Sequence, residues 1–496
     1  MPHFIHTILF ALLMAVAVSA EIVMPVTFGN GMVLQREMPV RVFGKASADS
    51  SIRVELGDQR ARAEVRDGAW QTTLNPMPAG GPYELRISSG NETQVFTDLM
   101  VGEVWLASGQ SNMAMALQGT QGYQQHLPKG QNPQLRFLKI PVTEFGEINR
   151  KRVAWTHCTP ETAKKFSAVA YHFAAALQRR LGVTVGIIGS YRGATWNENW
   201  MPRESIQNEP KLKYLWDKYE NEYGAFKTAA DYEAGYQDYL RKLQAWRAKG
   251  GWSHGMVPFA PMGPKAYQRP AGLYECMIKP LQPYAIKGVI WYQGEGNSAR
   301  HEEFRTLFPA FVQGWRKTWQ NPDLPVYFVQ LPPFKDPSWP YFRQAQLDVA
   351  RTIPNCGMIV SEGCGDPEDI HPKVKKPIGD RLAHAASVEL YGQAGPAYGP
   401  MPRSVARKGD RLIVTFDSCG DGLVCTGKAP QSFELAAADG NYLAAKARIV
   451  GKAIEVWSDA VTEPVALRYA WAPFPLMDLF NKAGLPASPF TAQVAP

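Results

Sequence analysis

The chain has 496 residues, 45 % hydrophobic and 20 % charged, with 53 Lys and Arg against 45 Asp and Glu for a net charge of +8. Six Cys over that length exclude a disulfide scaffold, and 11 % aromatic content argues against a disordered chain. The cations are dispersed, the densest groups being Lys164-Lys165, Arg179-Arg180 and Lys373-Lys375-Lys376, so no nucleic-acid partner is expected, because phosphate-backbone binding needs clustered charge. One hydrophobic core rarely serves this length, and about two to four domains are expected.

Residues 1–20 read as a signal peptide. Ile8 to Val18 is an apolar run, and Val18-Ser19-Ala20 is a small-residue site with cleavage expected after Ala20. The n-region departs from the usual pattern in having no Lys or Arg. The expected location is secreted or periplasmic. No later run approaches the ~20 apolar residues of a membrane-spanning helix, so no membrane span is expected. Export makes disulfides possible; Cys356/Cys364 and Cys419/Cys425 are close enough in sequence to pair, with buried free thiols as the alternative. No Cys/His spacing resembles a zinc site.

From residue 21 to 98 the pattern has period two. Ile52, Val54 and Leu56 alternate with polar residues, Ala63 and Val65 lead into Asp67-Gly68, and Trp70, Thr72 and Leu74 follow. This predicts an N-terminal β-domain with a hairpin at Asp67-Gly68. From 99 to 390 apolar strands alternate with amphipathic helices: strands over 101–106, 183–188, 287–292 and 326–331, and helices over 163–181 and 301–319. Such alternation predicts a parallel α/β sheet. A helical insertion, about 205–255, interrupts it, with aromatic residues at helical spacing from Leu212 to Trp246. Those aromatics read either as core or as a sugar-stacking lid. Residues 391–402 are a Gly/Pro-rich linker, and alternation around Leu412–Phe416 and Ile454–Tyr469, with a turn at Asp439-Gly440, predicts a C-terminal β-domain over 391–496.

Hydrolysing an ester with protein groups alone requires a nucleophile, a base, a group orienting the base, and donors for the tetrahedral oxyanion. Gly109-Gln110-Ser111-Asn112-Met113 directly follows a buried strand, where ligands bind in open α/β sheets. A Ser there reads either as an exposed group on a strand-to-helix turn or as a plain helix cap. Two more strands end in glycine-containing polar turns, at Arg192-Gly193 and at Gln293-Gly294-Glu295-Gly296-Asn297. Of seven His after residue 20, only His371 lies among carboxylates, with Asp366, Glu368 and Asp369 beside it.

These four blocks, in the order Ser, Gly, Asn, His, resemble the SGNH-hydrolase superfamily. More closely, the chain resembles the sialate O-acetylesterase family and its bacterial carbohydrate-acetylesterase relatives. The resemblance rests on Val101–Met113 (VGEVWLASGQSNM), Val289–Glu295, Asp369–Pro372, Gly484–Pro489 and Met32–Pro39. It implies an SGNH (flavodoxin-like) three-layer α/β core between β-sandwich-like flanks, and removal of O-acetyl groups from carbohydrate without metal or organic cofactor. It also implies Ser111 as nucleophile, His371 as base, and the Ser111 N–H, Gly193 N–H and Asn297 amide as oxyanion hole. Asp369 is the expected acid, with Asp366, Glu368 and Glu295 as alternatives; Gln110 and Gln293 are candidate substrate contacts. Two departures stand out. Gly296 replaces the usual Ser of the third block, and Arg192 stands where an aromatic is expected. Arg192 reads as a packed surface arginine or as a partner for a substrate carboxylate, as a uronic or sialic acid would supply. The departures leave open a second reading, a non-catalytic carbohydrate-binding protein on a hydrolase scaffold.

Overall fold

The computed structural model describes residues 21–47, 51–251 and 257–494. The expected signal peptide at 1–20 and His254 lie outside these residues. Among the described residues no helix is long and apolar enough to cross a membrane.

The organising element is the 18-residue strand Glu92–Gly109. Its first half alternates between exposed and half-buried residues and pairs antiparallel with Gly80–Ser89. From Val101 onward every residue is buried, and this half pairs in parallel with Val185–Tyr191 on one side and Gly288–Tyr292 on the other. The change follows from surroundings: a strand with sheet neighbours on both edges and covered faces needs a continuous apolar run, whereas a one-sided strand alternates. The boundary expected between residues 98 and 99 falls inside this one strand, at Asp98, whose φ is +59°.

Val326–Val329 and Cys356–Ile359 extend the parallel sheet beyond Gly288–Tyr292. Asn132–Lys139 extends it on the far side of Val185–Tyr191, and Trp155–Cys158 closes that edge antiparallel, making the sheet mixed. Helix Ala168–Leu181 packs on Lys376–Tyr391, and His301–Thr318 packs on Trp339–Thr352. The aromatic stripe Phe304, Phe308, Phe311 and Trp315 is buried, with Trp291 of the sheet against Phe311 and Trp315. Each such side chain contributes roughly 1.5–3 kcal/mol of burial.

Three expectations are refined. The helix expected over 163–181 is two helices, Pro160–Lys165 and Ala168–Leu181, because the Ser167 side chain accepts the Ala170 N–H and starts a new one. Asp67-Gly68 is a tight turn, both residues left-handed and closed by hydrogen bonds between Arg66 and Ala69. Yet the flanking strands are not a hairpin: Gln59–Glu64 pairs with Ser51–Leu56, while Ala69–Leu74 pairs with Val40–Lys45 in a separate sheet. All six Cys are unpaired thiols, five of them buried; burial pushes Cys356 up to about 12 and Cys364 up to about 11.

The insertion is a helical hairpin of Lys213–Gly224 and Ala229–Ala248, the second helix capped by Thr228 and Asp231. After residue 400 the chain forms a seven-stranded antiparallel sheet, with Asp439-Gly440 between the paired strands Phe433–Ala436 and Tyr442–Val450. A short pair, Leu423–Cys425 with Leu479–Asn481, sits beside it. This region is joined to the core by Gln330 Nε2 donating to Ser488 Oγ at 2.8 Å and the Thr491 N–H donating to Gln344 at 2.9 Å.

Parallel register brings three strand ends level: Gly109 lies opposite both Tyr191 and Tyr292. Gly109 has φ +138°, and a Cβ there would stand 2.1 Å from the Tyr292 carbonyl oxygen. Gly109→Ala is therefore expected to cost about 2–4 kcal/mol of stability through backbone strain and a main-chain clash, read by urea denaturation; an unchanged midpoint would refute this.

Candidate active site

The level strand ends place Gln110-Ser111, Arg192-Gly193 and Gln293-Gly294 side by side at the carboxyl edge of the sheet. Ser111 opens the short helix Ser111–Ala114. The Gln110 N–H donates to the Tyr292 carbonyl at 3.0 Å and the Arg192 N–H to the Gly109 carbonyl at 3.1 Å, so the three turns are bonded to one another. Gly193 lies against the serine: a Cβ on it would be 3.3 Å from Ser111 Cβ. Neither the Ser111 nor the Gly193 N–H donates to a backbone carbonyl among the described residues.

A cleft of about 1160 Å³ opens here, with Ser111, Gly193, Glu295 and His371 on its lining. His371 comes from the segment between the edge strand Cys356–Ile359 and helix Lys376–Tyr391. Among the described residues no hydrogen bond joins Ser111 Oγ to the imidazole; such bonds are often open until substrate is bound. Helix Ala229–Ala248 supplies the outer wall. Tyr232 is buried off the lining, Tyr239 is buried but reaches it, and Tyr236, Leu240, Leu243 and Trp246 line the cleft. The aromatics of this helix thus divide between core and wall.

Asp369 stands nearest His371 of the four candidate carboxylates. Its Oδ1 is 3.8 Å from the ring Nδ1 and accepts the His371 backbone N–H at 2.8 Å. Among the described residues Asp366, Glu368 and Glu295 form no ion pair with the ring. Asp366 accepts the backbone N–H groups of Glu368 and Asp369, and Glu368 is exposed and paired with Lys335. Glu295 Oε1 accepts from the Asn112 amide, while its Oε2 is buried without a partner. Burial raises the Glu295 carboxyl, opposed by the Asn112 bond and Lys375. Burial also raises Asp369, but the His371 N–H and Lys373 outweigh it and leave the group lowered. His371 is lowered, chiefly by burial and also by Lys375 and Lys373, against the pull of Asp369.

Asn297 and Gln293 stand behind the cleft wall, each 1 % exposed. Asn297 Nδ2 donates to Glu198 at 3.0 Å, and its Oδ1 accepts from the Asn197 N–H and from Gln293 Nε2. Gln110 does line the cleft, but its Oε1 accepts the Gly294 and Gly296 N–H groups at 3.3 Å each. These amides brace the loops, which differs from the direct substrate contact expected of Gln110 and Gln293. Arg192 is also engaged. Its Nε donates to Glu144 at 3.0 Å, another N–H reaches the Gly193 carbonyl at 2.6 Å, and the guanidinium lies 3.4 Å from the Tyr267 ring centroid. A substrate carboxylate would have to displace Glu144. Glu144 lies 48 residues from Arg192 in the chain, Asn112 lies inside Val101–Met113, and Lys375 lies three residues beyond Asp369–Pro372; no local pattern marks any of the three.

A serine and a histidine facing one cleft at the carboxyl edge of a largely parallel sheet form the arrangement of an α/β serine hydrolase. A family model described as carbohydrate esterase, sialic acid-specific acetylesterase, matches residues 238–387. Sialate O-acetylesterase of Rattus norvegicus is 25 % identical over 535 residues, covering 94 % of this chain and 93 % of that one. The Homo sapiens protein of the same name is 26 % identical, covering 93 % and 91 %. The crystal structure of a carbohydrate acetylesterase from Xanthomonas citri aligns with a TM-score of 0.79 at 31 % identity, covering 96 % of this chain and all of that one. The chain belongs to the sialate O-acetylesterase family of carbohydrate acetylesterases.

The Gly296 departure has a steric basis, since a Cβ there would lie 2.6 Å from the Thr195 carbonyl oxygen. Restoring the usual residue, Gly296→Ser, is expected to lower both thermal midpoint and esterase rate; a variant equal to the parent in both would refute the clash. A base must be neutral to accept a proton, so a lowered His371 extends the active range to the acid side. The acid limb of kcat/KM is expected to have its midpoint below the ordinary histidine value of 6.5, and a midpoint at or above it in a pH–rate profile would contradict this.

Proposed function

We propose that the protein removes O-acetyl groups from carbohydrate through an acetyl-enzyme intermediate. The observation carrying this reading is that Ser111 and His371 line one cleft at the strand ends. Ser111 Oγ attacks the acetyl carbonyl while His371 takes its proton. The Ser111 and Gly193 N–H groups receive the oxyanion; the third expected donor, the Asn297 amide, would have to reach it from behind the cleft wall with the Nδ2 hydrogen not given to Glu198. Losing one such donor typically costs ~10²–10³ in rate. His371 returns the proton to the departing sugar alcohol, and water then releases acetate by the same route. Asp369, 3.8 Å from the ring, orients it.

The accompanying reading of the chain is an SGNH-type three-layer core over 99–390, an N-terminal β-domain over 21–98 and a C-terminal β-domain over 391–496, with export directed by residues 1–20. The cleft is larger than an acetyl group needs, and its wall of Tyr236, Leu243 and Trp246 suits the apolar faces of sugar rings. The pairing of Arg192 with Glu144 speaks against Arg192 as the partner of a substrate carboxylate, while the exposed Arg152 and Arg247 also line the cleft. A non-catalytic carbohydrate-binding role is not favoured, because the matched relatives are named as esterases and both Ser111 and His371 face the cleft.

The test is acetate release from acetylated xylan, pectin, sialosides and simple acetylated monosaccharides, run beside an aryl acetate. Release is expected from at least one neutral acetylated sugar, and Ser111→Ala is expected to abolish it with circular dichroism unchanged. No release from any of them, or full activity in Ser111→Ala, would overturn the proposal.

A further inference from the structure

Asn112, the residue after Ser111, is 1 % exposed and joins three of the sequence blocks. Its Nδ2 donates to the Ile370 carbonyl at 3.0 Å and to Glu295 Oε1. Its Oδ1 accepts from Lys375 Nζ at 2.5 Å. Ile370 directly precedes His371 and Lys375 follows it by four residues, so one amide holds the histidine segment at both ends. The amide has one workable orientation. An ammonium only donates, while a backbone carbonyl and a carboxylate oxygen accept, so turning the amide over would set oxygen against oxygen and nitrogen against nitrogen.

We propose that Asn112 and Lys375 are positioning residues that lock the His371 segment onto the helix bearing Ser111. Asp369 touches only the histidine side, and the Gln121 N–H reaches the Lys373 carbonyl at 3.0 Å from ten residues beyond Ser111, so Asn112 is the tie that sits beside the serine itself. Lys375 is itself 1 % exposed, with its ammonium 5.2 Å from the Tyr292 ring centroid. Burial lowers it to about 7, opposed by Glu295. Burying a cation is costly unless it is paired and hydrogen-bonded. A lysine held there and aimed at the amide beside Ser111 is therefore accounted for by what it holds. Each member acts through His371, and none touches substrate.

The inference rests on the esterase reading, and the experiment separates the two. Asn112→Ala, Lys375→Met and the double variant are assayed on an aryl acetate beside the parent and Ser111→Ala. Each single variant is expected to lower kcat about 10–100-fold, the scale of a misplacement near 1 Å, with KM within about twofold. Phosphonylation of Ser111 by an organophosphonate should slow in parallel. The double variant should be no slower than the worse single one, because the two residues form one device. Multiplying losses, a change in KM alone, or unchanged kcat in folded variants would overturn the proposal while leaving the esterase reading in place. Parent activity equal to that of Ser111→Ala would instead overturn the esterase reading. Should Ala and Met prevent folding, Asn112→Ser and Lys375→Gln carry the same cycle.

Discussion

The contact between Gly109 and the Tyr292 carbonyl governs the site. Three buried parallel strands end level only because the central one can lay its backbone against its neighbour with nothing in between, where any Cβ would stand 2.1 Å from the oxygen. Backbone bonds from Gln110 to Tyr292 and from Arg192 to Gly109 then tie the turns together. Ser111 and Gly193 are neighbours by main-chain geometry, which rotamer changes do not disturb. A site built this way keeps the proposed oxyanion donors fixed before substrate arrives, and preorganised donors are those that stabilise charge as it develops.

Around that rigid edge, charge is managed by pairing. Arg192 beside the serine is held by Glu144 and stacked on Tyr267. Glu198 is shared between Arg300 and the Asn297 amide. Lys375 faces Asn112 and lies within the field of Glu295. A net charge of +8 therefore says little about the cleft, where the groups nearest Ser111 have internal partners. Along helix Ala229–Ala248 the wall offers Tyr236, Leu240, Leu243 and Trp246 for ring stacking, with the exposed Glu147, Arg152 and Arg247 also on the lining.

Much of this was legible in the sequence. Continuous apolar runs against alternating ones separated the parallel core from the β-flanks, and polar glycine turns after three such runs marked Ser111, Gly193 and Asn297. His371 was found because one histidine alone sits among carboxylates. Long-range partners were not legible: Glu144 captures Arg192 across 48 residues and Lys375 reaches Asn112 across 263. Neither pairing leaves a local pattern. Asn297 shows the limit in another way. Its motif position was right for the strand end, but only packing shows that its amide is bonded to Glu198 and stands behind the wall. The Asp67-Gly68 turn was legible as a turn but not its strand partnership, because Ala69–Leu74 pairs with Val40–Lys45, a strand distant in the chain.

The continuous strand Glu92–Gly109 carries an implication for how the molecule comes apart. A flanking module joined by a flexible linker can unfold or be clipped away while its neighbour stays intact. Here the N-terminal sheet and the catalytic sheet are two stretches of one backbone, with Val33–Gln35 also bonded along it at Met100–Gly102. Mechanical tension or proteolysis in the first stretch is transmitted directly along the strand that ends at the candidate nucleophile. Residues remote from the chemistry thus share in a single cooperative unit with it, and the N-terminal flank is a structural part of the hydrolase, not an appendage to it.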